Sequence, residues 1–244
     1  MITLAAFRTI MSLYHNNNTP LVIAVSGGPD SMGLLHLCIQ TIPQKLLVVA
    51  HFDHQLRKEG RKDAMLVETY CVKHHLRYEY GKASVASLAK QEKRTLEEMG
   101  RIKRYQFLRQ VKEKYQATHI VTAHHLDDQV ETILLHLIRG SGLHGLTGMD
   151  VCSKDILRPL LSYRKQDIID YCQKNKVPYR IDTTNKQPMY TRNIIRLKIL
   201  PLMEKINPQV SNNILKTARQ LKDIEDYLKH EASHFLNLPS YDMD

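Results

Sequence analysis

Two stretches of this sequence hold residue types whose spacing suits chemistry. The first is Ser26-Gly27-Gly28-Pro29-Asp30-Ser31, which follows the apolar run 22–25 and precedes Leu34, Leu35, Leu37 and Cys38 at helical spacing. A strand ending in Ser-Gly-Gly brings small residues to a point where the backbone must approach something bulky. The helix behind it aims its N–H groups and positive dipole end at the same point. That is anion-binding geometry, and phosphate is the usual anion. A P-loop would need Gly-Lys-Ser/Thr where this chain has Asp30-Ser31, and the dinucleotide fingerprint would need a third glycine. An ordinary strand-to-helix turn also uses Gly for positive φ and Asp or Ser as a cap. The full six-residue pattern after a strand is more specific than such a turn.

The second stretch is His124-His125-Leu126-Asp127-Asp128-Gln129-Val130-Glu131-Thr132. Asp127 stands where a helix cap belongs. Asp127 and Glu131 are four apart and Asp128 and Glu131 three apart, so the carboxylates crowd one turn. One or two acids at a helix start are routine dipole compensation. Three of them behind two histidines suit Mg²⁺, with Asp127 and Asp128 as ligands, or a cationic substrate group. Zinc is not supported, since there is no His-Glu-x-x-His and no cysteine nearby.

Three basic or mixed segments accompany them. In His51-Phe52-Asp53-His54-Gln55-Leu56-Arg57, His51 and Asp53 read either as turn residues or as the lining of an adenosine pocket. Arg57 is placed to reach phosphate or RNA. Arg101, Arg104 and Tyr105 share one helix face, which is either solvated or suited to phosphate and base contact. Arg192 and Arg196, with Asn193 between them and Tyr190 and Lys198 beside them, form a similar basic face.

The elements that must position these residues follow an α/β pattern. Strands are expected at 45–52, 77–80 and 118–123, with 178–182 as the last. Helices are expected at 63–75, 92–115, 127–139 and 165–175. Repeated βα units imply a Rossmann-like parallel sheet with helices on both faces. Ligands in such sheets bind at the carboxyl ends of strands, so Ser26, His51 to Asp53 and Ala123 to His125 are expected to converge. The stretch 139–149 holds four of the ten glycines and reads as a mobile functional loop. After Pro201 the character changes to one long amphipathic helix, 207–236. The chain therefore divides into a main domain, 1–205, and a C-terminal helical extension, 206–244, which invites pairing with a second copy.

Composition narrows the class. With no Trp and only 4 Phe in 244 residues, the core must be mainly aliphatic. The 35 Lys and Arg against 25 Asp and Glu leave a net charge of +10, which points to a polyanionic partner such as nucleic acid. No apolar run approaches the ~20 residues that span a bilayer, and the first eleven residues read as a helix rather than a signal peptide. Cys38, Cys71, Cys152 and Cys172 form no Cys-x-x-Cys, which fits a reduced, cytoplasmic protein without a zinc or iron–sulfur site.

In chain order the segments are Ser-Gly-Gly-x-Asp-Ser, His-x-Asp-His-x-Leu-Arg, Arg-x-x-Arg-Tyr, His-x-x-Asp-Asp-x-x-Glu-Thr, Arg-Gly-x-Gly, Arg-Pro-Leu-Leu and Arg-Asn-x-Ile-Arg. Together they resemble the tRNA(Ile)-lysidine synthetases, members of the N-type ATP pyrophosphatase (PP-loop) superfamily, from about residue 20 to about residue 205. Phe52, Gly100 and Ile194 depart from the residues common in that family. Many members also carry further C-terminal domains that grip the tRNA, where this chain has only the helix after 205. The resemblance implies an ATP- and Mg²⁺-dependent ligase that joins L-lysine to the wobble cytidine of tRNA(Ile) with a CAU anticodon. It implies that Ser26, Gly27, Gly28, Pro29, Asp30, Ser31, His51 and Asp53 hold the nucleotide. Asp30, Asp127, Asp128 and Glu131 would carry the chemistry. Arg57, Arg101, Arg104, Tyr105, His124, Arg139, Arg192, Asn193 and Arg196 would face the phosphates and RNA. Rival readings are a tRNA cytidine thiolase of the same fold, which would be expected to show paired Cys-x-x-Cys motifs, an amide-forming synthetase, and a non-catalytic nucleotide- or RNA-binding module.

Overall fold

The structure, a computed structural model, describes residues 2–16, 18–56, 60–181 and 191–235. It separates into two compact units. The first comprises Met1–Leu126 and Asp150–Thr183, the second Asp127–Met149 and Thr184–Asp244. The boundary near 205 expected from the sequence falls inside the second unit.

The first unit is built on a six-stranded sheet. Its strands are β1 (Leu21–Ala24), β2 (Leu47–Asp53), β3 (Arg77–Lys82), β4 (His119–Val121), β5 (Cys152–Ser153) and β6 (Ile156–Leu157), in the spatial order β3-β2-β1-β4-β6-β5. Every pairing is parallel except β5 with β6. The order reverses between β2-β1 and β1-β4, so the crevice beyond the carboxyl end of β1 is a topological switch point. Alternation along the strands separates the two faces. Leu21, Ile23, Leu47, Val49, Val121 and Leu157 pack on one side, with apolar residues of α1 (Leu4–Tyr14), α2 (Pro29–Thr41), α3 (Gly60–Lys73) and α8 (Lys165–Lys174). On the other side Val22, Val48, Ala50 and Ile120 meet Tyr105, Leu108 and Val111 of α5 (Leu96–Lys114). The expected Rossmann-like layering is therefore present, with helices on both faces.

Three local expectations are corrected. The helix expected at 92–115 is α5, which starts only at Leu96, and a separate helix not expected from the sequence, α4 (Val85–Gln91), precedes it. Lys93 turns with φ 50°, and the Thr95 hydroxyl accepts from the Glu98 N–H to cap the new start. Residues 178–181 are not a strand, and Asp182 lies outside the described residues; the Arg180 N–H goes instead to the Gly27 carbonyl. The sheet ends in the β5–β6 hairpin, whose two-residue strands are too short for a period and whose turn puts Lys154, a non-glycine, at φ 52°.

Gly33 shows why α2 can lie close to α8. A Cβ there would sit 2.8 Å from Ile168 Cγ2 and 3.0 Å from Cys172 Sγ. At the sheet edge, Glu79 of β3 accepts hydrogen bonds of 2.6 Å from both Lys114 and Tyr115. Burial pushes the Glu79 carboxyl up, but those bonds outweigh it and hold the group below its ordinary value. A depressed carboxylate stabilises the fold above its unfolded pKa and loses that contribution as pH falls through the folded one. The expected result is a melting-temperature difference between the protein and its Glu79→Gln variant that shrinks on acidification below about pH 4.5. Thermal unfolding at a series of pH values checks this; a difference that grows on acidification counts against the ion pair.

The second unit is helical. It contains most of α6 (Leu126–Ile138), then α7 (Leu143–Leu146), α9 (Thr191–Ile194), a π-helical stretch (Ile195–Ile199), α10 (Leu200–Ile206) and α11 (Val210–Phe235). Val130 and Leu134 of α6 pack with Ile195 as its core. The glycine-rich stretch 139–149 is held at several points. His136 meets the Gly145 carbonyl at 2.6 Å, His144 meets Glu225 of α11 at 2.8 Å, and Gln129 exchanges two hydrogen bonds with the Met149 backbone. Among the described residues no helix is long and apolar enough to cross a membrane.

Candidate active site

The phosphate-type loop stands at the carboxyl end of β1. Gly27 takes φ +90°, a conformation that L side chains rarely adopt, and Gly28 leads into α2 with Pro29 in its first turn. Two serines lock the turn on itself. The Ser31 hydroxyl accepts from the Ser26 N–H at 3.1 Å and donates to the Gly28 carbonyl at 3.1 Å, with the Ser26 hydroxyl 3.2 Å away. No side chain caps α2, so its N-terminal end presents backbone donors and a positive dipole to an anion.

Asp30, in the first turn of α2, faces a histidine and a lysine from two distant segments. His125 Nε2 is 3.8 Å and Lys165 Nζ 3.7 Å from Asp30 Oδ2. Arg180 grips the loop from a third. Its backbone N–H donates to the Gly27 carbonyl at 3.0 Å, and its Nε donates to the buried Asp63 carboxylate at 2.7 Å. Asp63 lies against Gly27, where a Cβ would meet it at 3.4 Å. Nothing in the spacing of Asp63, Lys165 or Arg180 marks them in sequence, because each reaches the loop only through the fold.

The neighbouring strand ends gather as expected. His51 is buried and its Nδ1 contacts the Val25 carbonyl at 2.8 Å, while its ring stacks on Tyr80 at 6.1 Å. Burial pulls its pKa below the ordinary value, against the Val25 carbonyl and the acids Asp53 and Asp63. Asp53 is engaged by its own turn: Oδ1 accepts from the Gln55 N–H at 2.8 Å and Oδ2 from the Tyr80 hydroxyl at 3.2 Å. His124 meets the Thr122 hydroxyl at 2.9 Å. Arg57 lies outside the described residues. Tyr105 is buried rather than presented to a base, and Arg101, Arg104 and Arg109 fan over its ring at 5.5, 5.2 and 6.0 Å.

The acidic cluster belongs to the second unit. Glu131 is buried there, and both its oxygens are taken by Arg196, the Nη2–Oε2 contact being 2.9 Å. Arg196 also reaches Asp128 at 3.2 Å. Arg192 approaches Glu131 at 3.8 Å and donates to the Thr132 hydroxyl. Burial pushes the Glu131 carboxyl above its ordinary value, against the pull of Arg196. Residues expected to face RNA are thus joined to residues expected to carry chemistry. Asp127 and Asn193 are half-buried in the same unit, and Arg139 is exposed just beyond α6.

Among the described residues no group of three or more His, Cys, Asp or Glu is placed to hold a metal ion. Magnesium bound to a nucleotide takes most of its ligands from phosphates and water and needs only one or two carboxylates. The donor set at the loop, Asp30 beside an anion-binding turn, fits that requirement.

Residues 3–203 match the model of a family described as PP-loop domain. The chain is 35% identical over 223 residues to a tRNA(Ile)-lysidine synthase of Thermotoga maritima, covering 91% of this chain and 54% of the relative. It is 38% identical over 224 residues to one from Bacillus cereus, covering 89% and 47%. It is 36% identical over 222 residues to a bifunctional TilS/HprT protein of Listeria monocytogenes, covering 88% and 34%. The chain thus spans between a third and about half the length of these curated relatives. Among solved structures, a U34-tRNA thiolase, NcsA, of Methanococcus maripaludis superposes with TM-score 0.70 at 16% identity, covering 89% of this chain and 79% of that one. An NMN synthetase of Francisella tularensis gives 0.55 at 13%, covering 91% and 96%. These structural likenesses speak for the fold.

Proposed function

This chain belongs to the PP-loop domain family, and from that premise we propose that it ligates L-lysine to carbon 2 of the wobble cytidine of tRNA(Ile) with a CAU anticodon. The observation that carries this reading is the 35–38% identity, over about nine-tenths of this chain, to tRNA(Ile)-lysidine synthases. In the first step the cytidine carbonyl oxygen attacks the α-phosphate of ATP, releasing pyrophosphate and leaving an adenylated base. In the second a lysine amine, having lost its proton, attacks carbon 2 and expels AMP. The cytidine must leave its stack to react.

In this reading the Ser26 to Ser31 turn and the start of α2 bind the departing pyrophosphate through backbone donors. Asp30 would hold Mg²⁺, whose chemistry is to neutralise charge developing on the phosphates. His51 and Asp53 shape the adenosine side. Asp127 and Asp128 are the acids proposed to receive the lysine ammonium or a Mg²⁺ ion, with Glu131 and Arg196 positioning them. Arg101, Arg104, Arg139 and Arg192 supply positive charge for RNA, in keeping with the net charge of +10.

The thiolase alternative needs a reactive thiol. Burial pushes Cys71 and Cys172 up to about 12 and also raises Cys38 and Cys152. Such thiols are poor nucleophiles.

The deciding experiment supplies purified protein with ATP, Mg²⁺, radiolabelled lysine and unmodified tRNA(Ile) with a CAU anticodon. Lysine entering the RNA supports the reading. ATP cleaved to AMP and pyrophosphate without lysine transfer would move it to another acceptor. A narrower test addresses the Arg180 grip. Arg180→Ala keeps the backbone bond to Gly27 but frees Asp63, and is expected to weaken ATP binding about tenfold, the effect of roughly one lost charge-assisted hydrogen bond. Calorimetric titration reads this directly, and unchanged affinity would show that Arg180 does not shape the loop.

A further inference from the structure

One buried cation has no task in the reaction described above. Arg158 directly follows β6, beside the carboxyl end of β4, and only 8% of it is exposed. Its Nη1 donates to the Asp150 carbonyl at 2.9 Å, but its Nε–H is buried with no acceptor. Among the described residues no carboxylate forms an ion pair with Arg158 or with Arg101. Burial disfavours the charged guanidinium of Arg158; Tyr105, Asp150 and Cys152 offset this in part, and the nearby Arg101 adds to it.

Buried charges in folded proteins are normally paired, since an unpaired one forgoes its hydration without compensation. Here no ion pair compensates the guanidinium, and Arg101 brings further positive charge. Arg101 is exposed and stacks over Tyr105, the same ring that lies beside Arg158. Arg104 stacks on it as well. Arg109, the third arginine on that ring, already has Asp155 as a partner at 3.2 Å. A planar fork with an unused N–H, next to a second fork open to solvent, matches the oxygens of a phosphate. Sheets of this kind also bind their ligands at the strand ends where Arg158 stands.

We propose that Arg158 and Arg101 form a phosphate-ester subsite, with Arg158 as the buried fork and Arg101 as the exposed arm that admits the anion. The phosphate is either that of the nucleotide or a backbone phosphodiester of the RNA, and only this choice rests on the function proposed above. A purely structural Arg158 would pin the β5–β6 hairpin through the Asp150 carbonyl and nothing more. Lysine can make that single bond but lacks the fork.

The test uses the full chain with Arg158→Lys and Arg101→Gln. Thermal unfolding first establishes that each variant is folded. Affinity for ATP is then measured by calorimetry, and affinity for an unmodified RNA hairpin with a CAU loop by filter binding at several salt concentrations. Both variants are expected to lose about tenfold or more in one arm, the scale of a charged hydrogen-bond pair. Loss in the ATP arm assigns the subsite to the nucleotide. Loss in the RNA arm, with a salt dependence shallower by about one ion, assigns it to the RNA backbone. Affinities within about twofold of the parent in both arms overturn the proposal. Should Arg158→Lys fail to fold, Arg101→Gln decides alone, because Arg101 is exposed and its loss leaves the core intact. Lysine transfer is not part of the readout, so a failure of the lysidine reading and a failure of this subsite stay distinguishable.

Discussion

Asp30→Ala is expected to cut ATP-dependent lysine transfer by roughly 10²–10³-fold, the scale seen when one preorganised electrostatic group is removed from a reacting site. The carboxylate lies in the first turn of α2 and faces His125 and Lys165 at 3.8 and 3.7 Å. Its removal takes away the acid that would hold Mg²⁺ and leaves two side chains without the group they flank. Stability is expected to change little, because a partly exposed acid at a helix start contributes only about 0.3–1 kcal/mol. The assay follows AMP and pyrophosphate release beside lysine incorporation, with circular dichroism confirming the fold. A folded variant that keeps more than about a tenth of the activity would show that Asp30 serves the helix start and not the reaction.

Arg196→Leu is expected to have the largest effect on stability. Arg196 satisfies both oxygens of Glu131, a carboxylate only 2% exposed, and also reaches Asp128 at 3.2 Å. Removing one partner of a buried pair typically costs about 3–5 kcal/mol, since the other charge stays buried. Arg192 stands 3.8 Å from Glu131 and would recover part of this, so the lower end of the range is expected. Adding Glu131→Leu should return part of the loss, because two apolar groups can replace a buried ion pair at little net cost. Denaturant titration of the two single variants and the double variant gives the coupling energy. Strictly additive losses would show that the pair is not a unit. A restored fold without restored lysine transfer would separate the structural part of this cluster from its proposed catalytic part.

The β1–turn–α2 element was legible because its signals are local. Small residues at 26–28 permit the turn, Gly27 takes the positive φ, and Pro29 starts the helix. The layering was legible for the same reason: runs such as Leu47 to Ala50 can only be buried on both faces. The β5–β6 hairpin was not, since two-residue strands have no period to read. The start of α5 at Leu96 rather than 92 was hidden because Glu92, Lys93 and Arg94 are helix-forming residue types, and only the left-handed Lys93 and the Thr95 cap mark the interruption after α4.

The fold class, the anion-binding turn, the acidic helix start and the excess of positive charge were readable from residue types and their spacing, since each follows from composition or from neighbours along the chain. Which side chains meet is a product of packing. It placed Lys165 and His125 against Asp30, Arg180 against Gly27 and Asp63, and Arg158 beside Tyr105. It also joined Arg196 to the carboxylates at 128 and 131. These partners lie from about fifty to about 150 residues apart, and spacing along a chain carries no information about contacts that close only when a sheet and its helices pack.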